Sequence, residues 1–175
     1  TSRMCATAHE NGLKVHIDGA RIFSAAVYMG IPVSRLVKDA DSVCFCLSKN
    51  LSAPVGSLLC GSEEFITRAR KWRRMLGGGM RQAGVIAAAG IVALQNMVER
   101  LAVDHQNARL LADGLAKIPG LTIHPARVQT NIVLFEPPEA VEASIFLQQL
   151  KEQAVLLSSM GGRTIRAVTH RMISQ

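Results

Sequence analysis

An α/β fold is what this chain predicts, and three features of its sequence predict it. Short apolar runs alternate with stretches whose apolar residues recur at helical spacing, the pattern of strands and helices that share a layered core. At 175 residues and 49% hydrophobic composition, the chain is long enough to bury such a core and too apolar to stay disordered. Pro119-Gly120 then marks a change of pattern. Residues 1–118 read as one domain closing in a long connecting helix, and residues 119–175 as a smaller α/β domain.

The elements follow in order. Residues 3–10 read as a helix stopped by Asn11-Gly12. Leu13–Ile17 is a short apolar strand. Ile22, Phe23, Ala26, Val27 and Met29 have helical spacing, which predicts a helix over 20–29 ended by Gly30-Ile31-Pro32. Val33–Val37 forms one helical turn, and Val43–Leu47 and Val55–Cys60 are strands joined by a turn containing glycine and proline. Ser62 caps a helix with Glu63 and Glu64 in its first turn, running to about Leu76 and broken by Gly77-Gly78-Gly79. Gln82–Asn96 is small and apolar on nearly all sides, which predicts a buried helix, and an amphipathic helix continues from it to about Lys117. Leu121–His124 and Asn131–Phe135 read as strands, Val141–Gln153 as a helix and Ile165–Val168 as the last strand.

Composition narrows the function classes. Aromatic residues make up only 4% of the chain, too few to build stacking platforms for single-stranded nucleic acid. The net charge of +7 owes much to Arg68, Arg70, Lys71, Arg73, Arg74 and Arg81, which read as a solvated helix face with cations toward its C-terminal end. Neither a nucleic-acid nor a membrane partner is expected. Cys44 and Cys46 alternate along one strand, but no further ligands stand at zinc spacing, so Cys5, Cys44, Cys46 and Cys60 read as reduced thiols of a cytoplasmic protein without a metal site.

Chemistry enters at Asp18, in His16-Ile17-Asp18-Gly19-Ala20-Arg21, and at Lys49, in Leu47-Ser48-Lys49. An acid closes one apolar strand and a lysine closes the next, and ligands of α/β sheets collect outside the carboxyl ends of strands. That pair suits pyridoxal 5'-phosphate: the lysine forms a Schiff base with the aldehyde, and the acid keeps the pyridine nitrogen protonated so that the ring accepts electrons. Arg21 falls in the first turn of a helix, where the dipole disfavours a cation unless an anion such as a substrate carboxylate offsets it. His16 reads as a packed, hydrogen-bonded histidine. The run Gly77–Gly79 is a helix break and not a phosphate fingerprint.

Four blocks, HIDGARIFSAA, DSVCFCLSKNLSAPVGSLLCGS, RRMLGGGMRQAGVIAAAG and IRAVTH, resemble in order the low-specificity L-threonine aldolases, pyridoxal-phosphate lyases of the aspartate-aminotransferase fold class. The resemblance implies that residues 1–118 are part of a large cofactor-binding domain and 119–175 an incomplete small domain. It makes Lys49 the Schiff-base lysine and Asp18 the partner of the pyridinium nitrogen. Arg21 would contact substrate or cofactor oxygens, Arg166 the substrate carboxylate, and Arg81 the cofactor phosphate or a subunit interface. The implied reaction is retro-aldol cleavage of L-threonine or L-allo-threonine to glycine and acetaldehyde, on a small β-hydroxy amino acid, in a homo-oligomer.

The family usually carries glycine immediately after the lysine and again two positions later, where this chain has Asn50 and Ser52. A positive φ there is tolerable for asparagine and costs serine roughly 1 kcal/mol or more. The family's phosphate-binding loop and its ring-stacking histidine lie upstream of the first block, and its C-terminal helix lies beyond the last. The chain opens on Thr1, inside a helical pattern, and so reads as a fragment that is inactive by itself; the competing reading is a non-catalytic, decayed homologue.

Overall fold

The computed structural model describes residues 1–174. The chain is α/β and divides into two compact units, residues 1–100 and residues 101–175. The sequence reading assigns everything up to residue 118 to the first domain. Helix Leu101–Leu115 instead belongs to the second unit, because Ala108 and Ala112 stand one turn apart on it and are fully buried in that unit's core.

The first unit runs α1 (Ser2–Glu10), β1 (His16–Asp18), α2 (Ile22–Met29), α3 (Val33–Val37), β2 (Ser42–Cys46), β3 (Ser57–Gly61), α4 (Glu63–Met75) and α5 (Gly84–Asn96). Its three strands are ordered β1-β2-β3, with β1 parallel to β2 and β3 antiparallel to β2. Strand β1 starts later than its apolar run because pairing begins at Val15, whose carbonyl accepts the N–H groups of Asp41 and Ser42. The Asp41 carboxylate closes this entry: it accepts from the Val15 N–H, from Lys14 Nζ and from His9 Nε2, each at 2.8 Å. The register that follows sets His16 opposite Ser42 and Asp18 opposite Cys44. Phe23 on α2 meets Phe45 on β2 edge-on, with ring centroids 5.1 Å apart.

Helix α4 begins as its cap residues predict, with Ser62 Oγ accepting the Phe65 N–H. Helix α5 departs from expectation. Only Gly90 and Ala93 are buried, while Val85, Ile91 and Val92 are exposed. The apolar sequence therefore meets the unit through one narrow stripe. A Cβ on Gly90 would come within 2.9 Å of Leu47 Cδ1, so this glycine lets the helix backbone approach the loop after β2. The helix also ends at Asn96 instead of continuing, and turns at residues 97–100 separate it from the next.

The second unit comprises α6 (Leu101–Leu115), β4 (Thr122–Ile123), a 3-10 turn at Pro125–Arg127, β5 (Ile132–Glu136), α7 (Ala143–Glu152), β6 (Ser158–Ser159) and β7 (Ile165–Val168). The strands form one antiparallel sheet ordered β4-β5-β7-β6. Period-2 alternation divides its faces. Val133, Phe135, Ile165 and Ala167 point into a core shared with Ala108, Ala112 and Ala143, while Leu134 and Arg166 lie opposite one another on the other face. Among the described residues, no single helix is long and apolar enough to cross a membrane.

Candidate functional site

Asp18 is the last residue of β1 and Cys46 the last of β2, and the two strands run parallel. Their carboxyl ends therefore share one edge of the sheet. Asp18 and the segment that follows β2, which carries Lys49, both lie there. The turn after Asp18 is made by Gly19, whose N–H donates to the Cys44 carbonyl at 2.8 Å. A Cβ at this position would stand 3.0 Å from that same oxygen, so glycine lets the chain leave the strand this tightly without crowding the carbonyl. Asp18 and Lys49 are both exposed, and among the described residues Asp18 has no ion-pair partner. Its neighbour is the Cys44 thiol, which donates to Asp18 Oδ1 at 3.6 Å. Partial burial, and then the adjacent carboxylate, push the pKa of that thiol up, so Cys44 stands beside the acid as a neutral donor.

Lys49 sits in a loop that is fastened on both sides. The Leu47 and Ser48 N–H groups donate to the Gly56 carbonyl, the Ala53 N–H to the Leu47 carbonyl, and the Ser52 N–H to the Lys49 carbonyl. Leu47, Leu51 and Ala53 are buried beneath it. Ser52 has φ 61, in the left-handed region, as the family's glycine suggested; Asn50 is not among the residues with positive φ. Ser52 Oγ donates to the Asn50 carbonyl at 3.3 Å, a contact that a glycine would lack.

Arg21 is the residue before the first turn of α2, with φ −129 and ψ 36. Its Nε donates to Asn50 Oδ1 at 2.8 Å, and Asn50 Nδ2 donates to Ser24 Oγ at 2.7 Å. The guanidinium is therefore tied to the residue next to Lys49. His16 does pair by hydrogen bond, Nδ1 with Ser42 Oγ at 2.8 Å, but it is exposed instead of packed.

Arg166 lies in the second unit, half-buried on β7, with its Nε donating to Ser158 Oγ at 3.2 Å. Arg81 is exposed in the turn before α5, and no hydrogen bond or ion pair among the described residues joins it to Asp18, Arg21 or Lys49. Sequence reasoning passed over the residues that hold these positions. Asn50 and Ser24 carry no periodic signal. Strand β6, which supplies Ser158, is only two residues long. Asn131 and Thr169 are equally silent in the sequence, yet Asn131 Nδ2 donates to the Thr169 carbonyl and Thr169 Oγ1 to the Asp104 carbonyl, fixing the end of the strand that carries Arg166. Among the described residues no cluster of metal-binding side chains occurs.

Known proteins resemble this chain in sequence and in fold. The family profile described as beta-eliminating lyase matches residues 1–137. A protein of Arabidopsis thaliana provisionally named low-specificity L-threonine aldolase 2 is 49% identical over 169 residues, covering 95% of this chain and 48% of its own length. The chain thus spans about half the length of the curated relatives it matches. Among solved structures, a Listeria monocytogenes protein provisionally named an L-allo-threonine aldolase superposes with a TM-score of 0.82 at 18% identity, over 97% of this chain and 49% of its own. A PLP-dependent aminotransferase from Streptococcus suis superposes with a TM-score of 0.72 at 16% identity, over 96% and 46%. At these identities the structures speak for the fold alone; with the profile covering residues 1–137, the chain belongs to the beta-eliminating lyase family.

Proposed function

We propose that this chain supplies the lysine, the acid and two substrate-binding arginines of a pyridoxal-phosphate lyase that cleaves L-threonine or L-allo-threonine to glycine and acetaldehyde. The observation that carries the reading is the parallel register of β1 and β2, which brings the strand-end acid Asp18 and the loop of Lys49 to one edge. The donor set suits the cofactor, since Asp18 is flanked by a neutral thiol and, among the described residues, is not spent on a cation. Bound pyridoxal phosphate supplies a ring that accepts the electron pair of the broken Cα–Cβ bond.

The side chains divide the rest. Lys49 would hold the cofactor through its amine, and Asp18 would accept a hydrogen bond from the pyridine nitrogen and so favour its protonated form. Arg21 in the first unit and Arg166 in the second are each a candidate cation for a substrate carboxylate, and holding that group would fix which bond at Cα is cleaved. Arg81 is a secondary candidate for the cofactor phosphate. The names borne by its relatives and structural neighbours, threonine and allo-threonine aldolases, support the substrate class. A cytoplasmic homo-oligomer, acting without nucleic-acid or membrane partners, completes the reading.

The test is borohydride reduction in the presence of pyridoxal phosphate, followed by peptide mapping and an assay of acetaldehyde release. Covalent label is expected on Lys49 and is lost in Lys49→Ala. Asp18→Asn replaces a charge-assisted hydrogen bond of about 1.5–3 kcal/mol, so cofactor affinity falls about 10- to 100-fold. Label spread over surface lysines, with Lys49 unmarked, overturns the reading in favour of a non-catalytic homologue.

A further inference from the structure

The strongest unexplained feature beside the site is Asn50. It is only 6% exposed, and its neighbour Ser24 only 1%, although both are polar. A buried amide persists when its donor and acceptor are both used, and here they are. Arg21 Nε can only donate, so the oxygen of the amide must face it and the nitrogen must face Ser24 Oγ. The orientation of Asn50 is thereby fixed by its partners. Arg21 and Ser24 are three residues apart at the start of α2, so one side chain grips the whole first turn of that helix. The backbone of Asn50 is in turn held by the Ser52 hydroxyl, in the loop that carries Lys49.

We propose that Asn50 is a positioning residue: it presets the Arg21 guanidinium for the carboxylate of an α-amino acid and adds no counter-charge to it. This rests on the reading of Arg21 as a substrate cation. An arginine side chain has many rotamers, and holding Nε in advance removes part of what binding otherwise has to order. A carboxylate at position 50 would hold the same nitrogen equally well. It would also place a negative charge 2.8 Å from Nε and weaken the attraction for any incoming anion. Neutral amide chemistry supplies the grip without that loss.

The two roles Asn50 could have give opposite orders in Asn50→Ala and Asn50→Asp. Asn50→Asp keeps both hydrogen bonds, since Ser24 can turn its hydroxyl to donate, whereas Asn50→Ala loses both. The full natural chain loaded with pyridoxal phosphate would be titrated with glycine, which has the carboxylate but no β-hydroxyl. Affinity is read from the change in cofactor absorbance, and thermal stability is measured alongside. A positioning role predicts glycine affinity about tenfold weaker in Asn50→Ala and weaker still in Asn50→Asp, while Asn50→Asp is the more stable of the two. KM for L-allo-threonine rises in the same order with a smaller change in kcat. In the protein without cofactor, the Arg21 Nε proton exchanges slowly in the parent and rapidly in Asn50→Ala by NMR. Glycine affinity that follows stability, with Asn50→Asp matching the parent, overturns the proposal and leaves Asn50 a packing residue. Should Asn50→Ala fail to fold, Asn50→Asp alone decides. Arg21→Ala separates the two levels of inference: if it leaves glycine binding unchanged, the assignment of Arg21 falls and this proposal with it. If it weakens binding while both Asn50 variants do not, only the role of Asn50 is wrong.

Discussion

Ser52 adopts φ 61, a conformation that costs an L-residue about 1–2 kcal/mol and that glycine enters without penalty. Against that strain the serine returns one hydrogen bond, from Oγ to the Asn50 carbonyl, worth about 0.5–1.5 kcal/mol. Glycine would relieve the strain, lose the bond, and add about 0.5–1 kcal/mol of unfolded-chain entropy. These terms nearly cancel, so Ser52→Gly should be close to neutral. Ser52→Ala keeps the strain and loses the bond, and should cost about 1 kcal/mol. Denaturant midpoints with unchanged slopes check the order, with Gly more stable than Ala by about 1 kcal/mol. The reverse order, usual for an ordinary backbone position, would show that residue 52 does not hold a left-handed conformation in solution.

At the scale of elements, the parallel pairing of β1 with β2 is secured at its entry by Asp41. The Lys14 ammonium, the Val15 N–H and His9 hold that carboxyl far below its ordinary pKa of 3.8, and the same contact raises the pKa of Lys14 above 10.5. Because the folded state lowers the Asp41 pKa, its contribution is fully present above 3.8 and is lost as pH falls through the folded value. The Lys14 contribution has the opposite sense: present below 10.5, it fades as pH rises through the folded value. Asp41→Asn should therefore be less stable than the parent by a constant margin across neutral pH, and the margin should close as pH falls below 3.8. Urea melts at several pH values measure this; a gap that persists at low pH would show that the amide fails for steric reasons. Arg163 fastens a loop in the second unit, its guanidinium donating to the carbonyls of Pro137, Pro138, Glu139 and Val141 and so shaping the chain between β5 and α7.

Across the whole molecule, large apolar side chains stand in water. Val85 is 78% exposed and Leu76 83%, with Trp72, Met75, Met80, Ile91 and Val92 also exposed on α4, α5 and the turn between them. Apolar surface of this extent drives association. A polypeptide of these 175 residues should self-associate at micromolar concentration. Sedimentation velocity checks this, and the Val92→Lys variant should shift the distribution toward monomer. A distribution that Val92→Lys leaves unchanged would show that this apolar face does not drive the association.

What the sequence determined by itself was local. Apart from the two-residue strand β6, the order of helices and strands was legible because apolar periodicity and cap residues act within a few positions, as at Asn11-Gly12 and Ser62. The position of Asp18 at the end of β1 and of Lys49 in the loop after β2 was legible for the same reason, since each stands where an apolar run gives way to a turn. The family was legible in four blocks of sequence. Tertiary structure alone decided the rest. It assigned the helix Leu101–Leu115 to the second unit, because burial of Ala108 and Ala112 depends on which sheet they meet. It exposed most of α5, whose composition states that it can be buried but not what covers it. It also joined Arg21 to Asn50 across 29 positions and Arg166 to Ser158 across eight. A hydrogen bond between distant side chains leaves no periodic trace in a sequence, because either partner alone is simply a polar residue; only the folded chain makes them a pair.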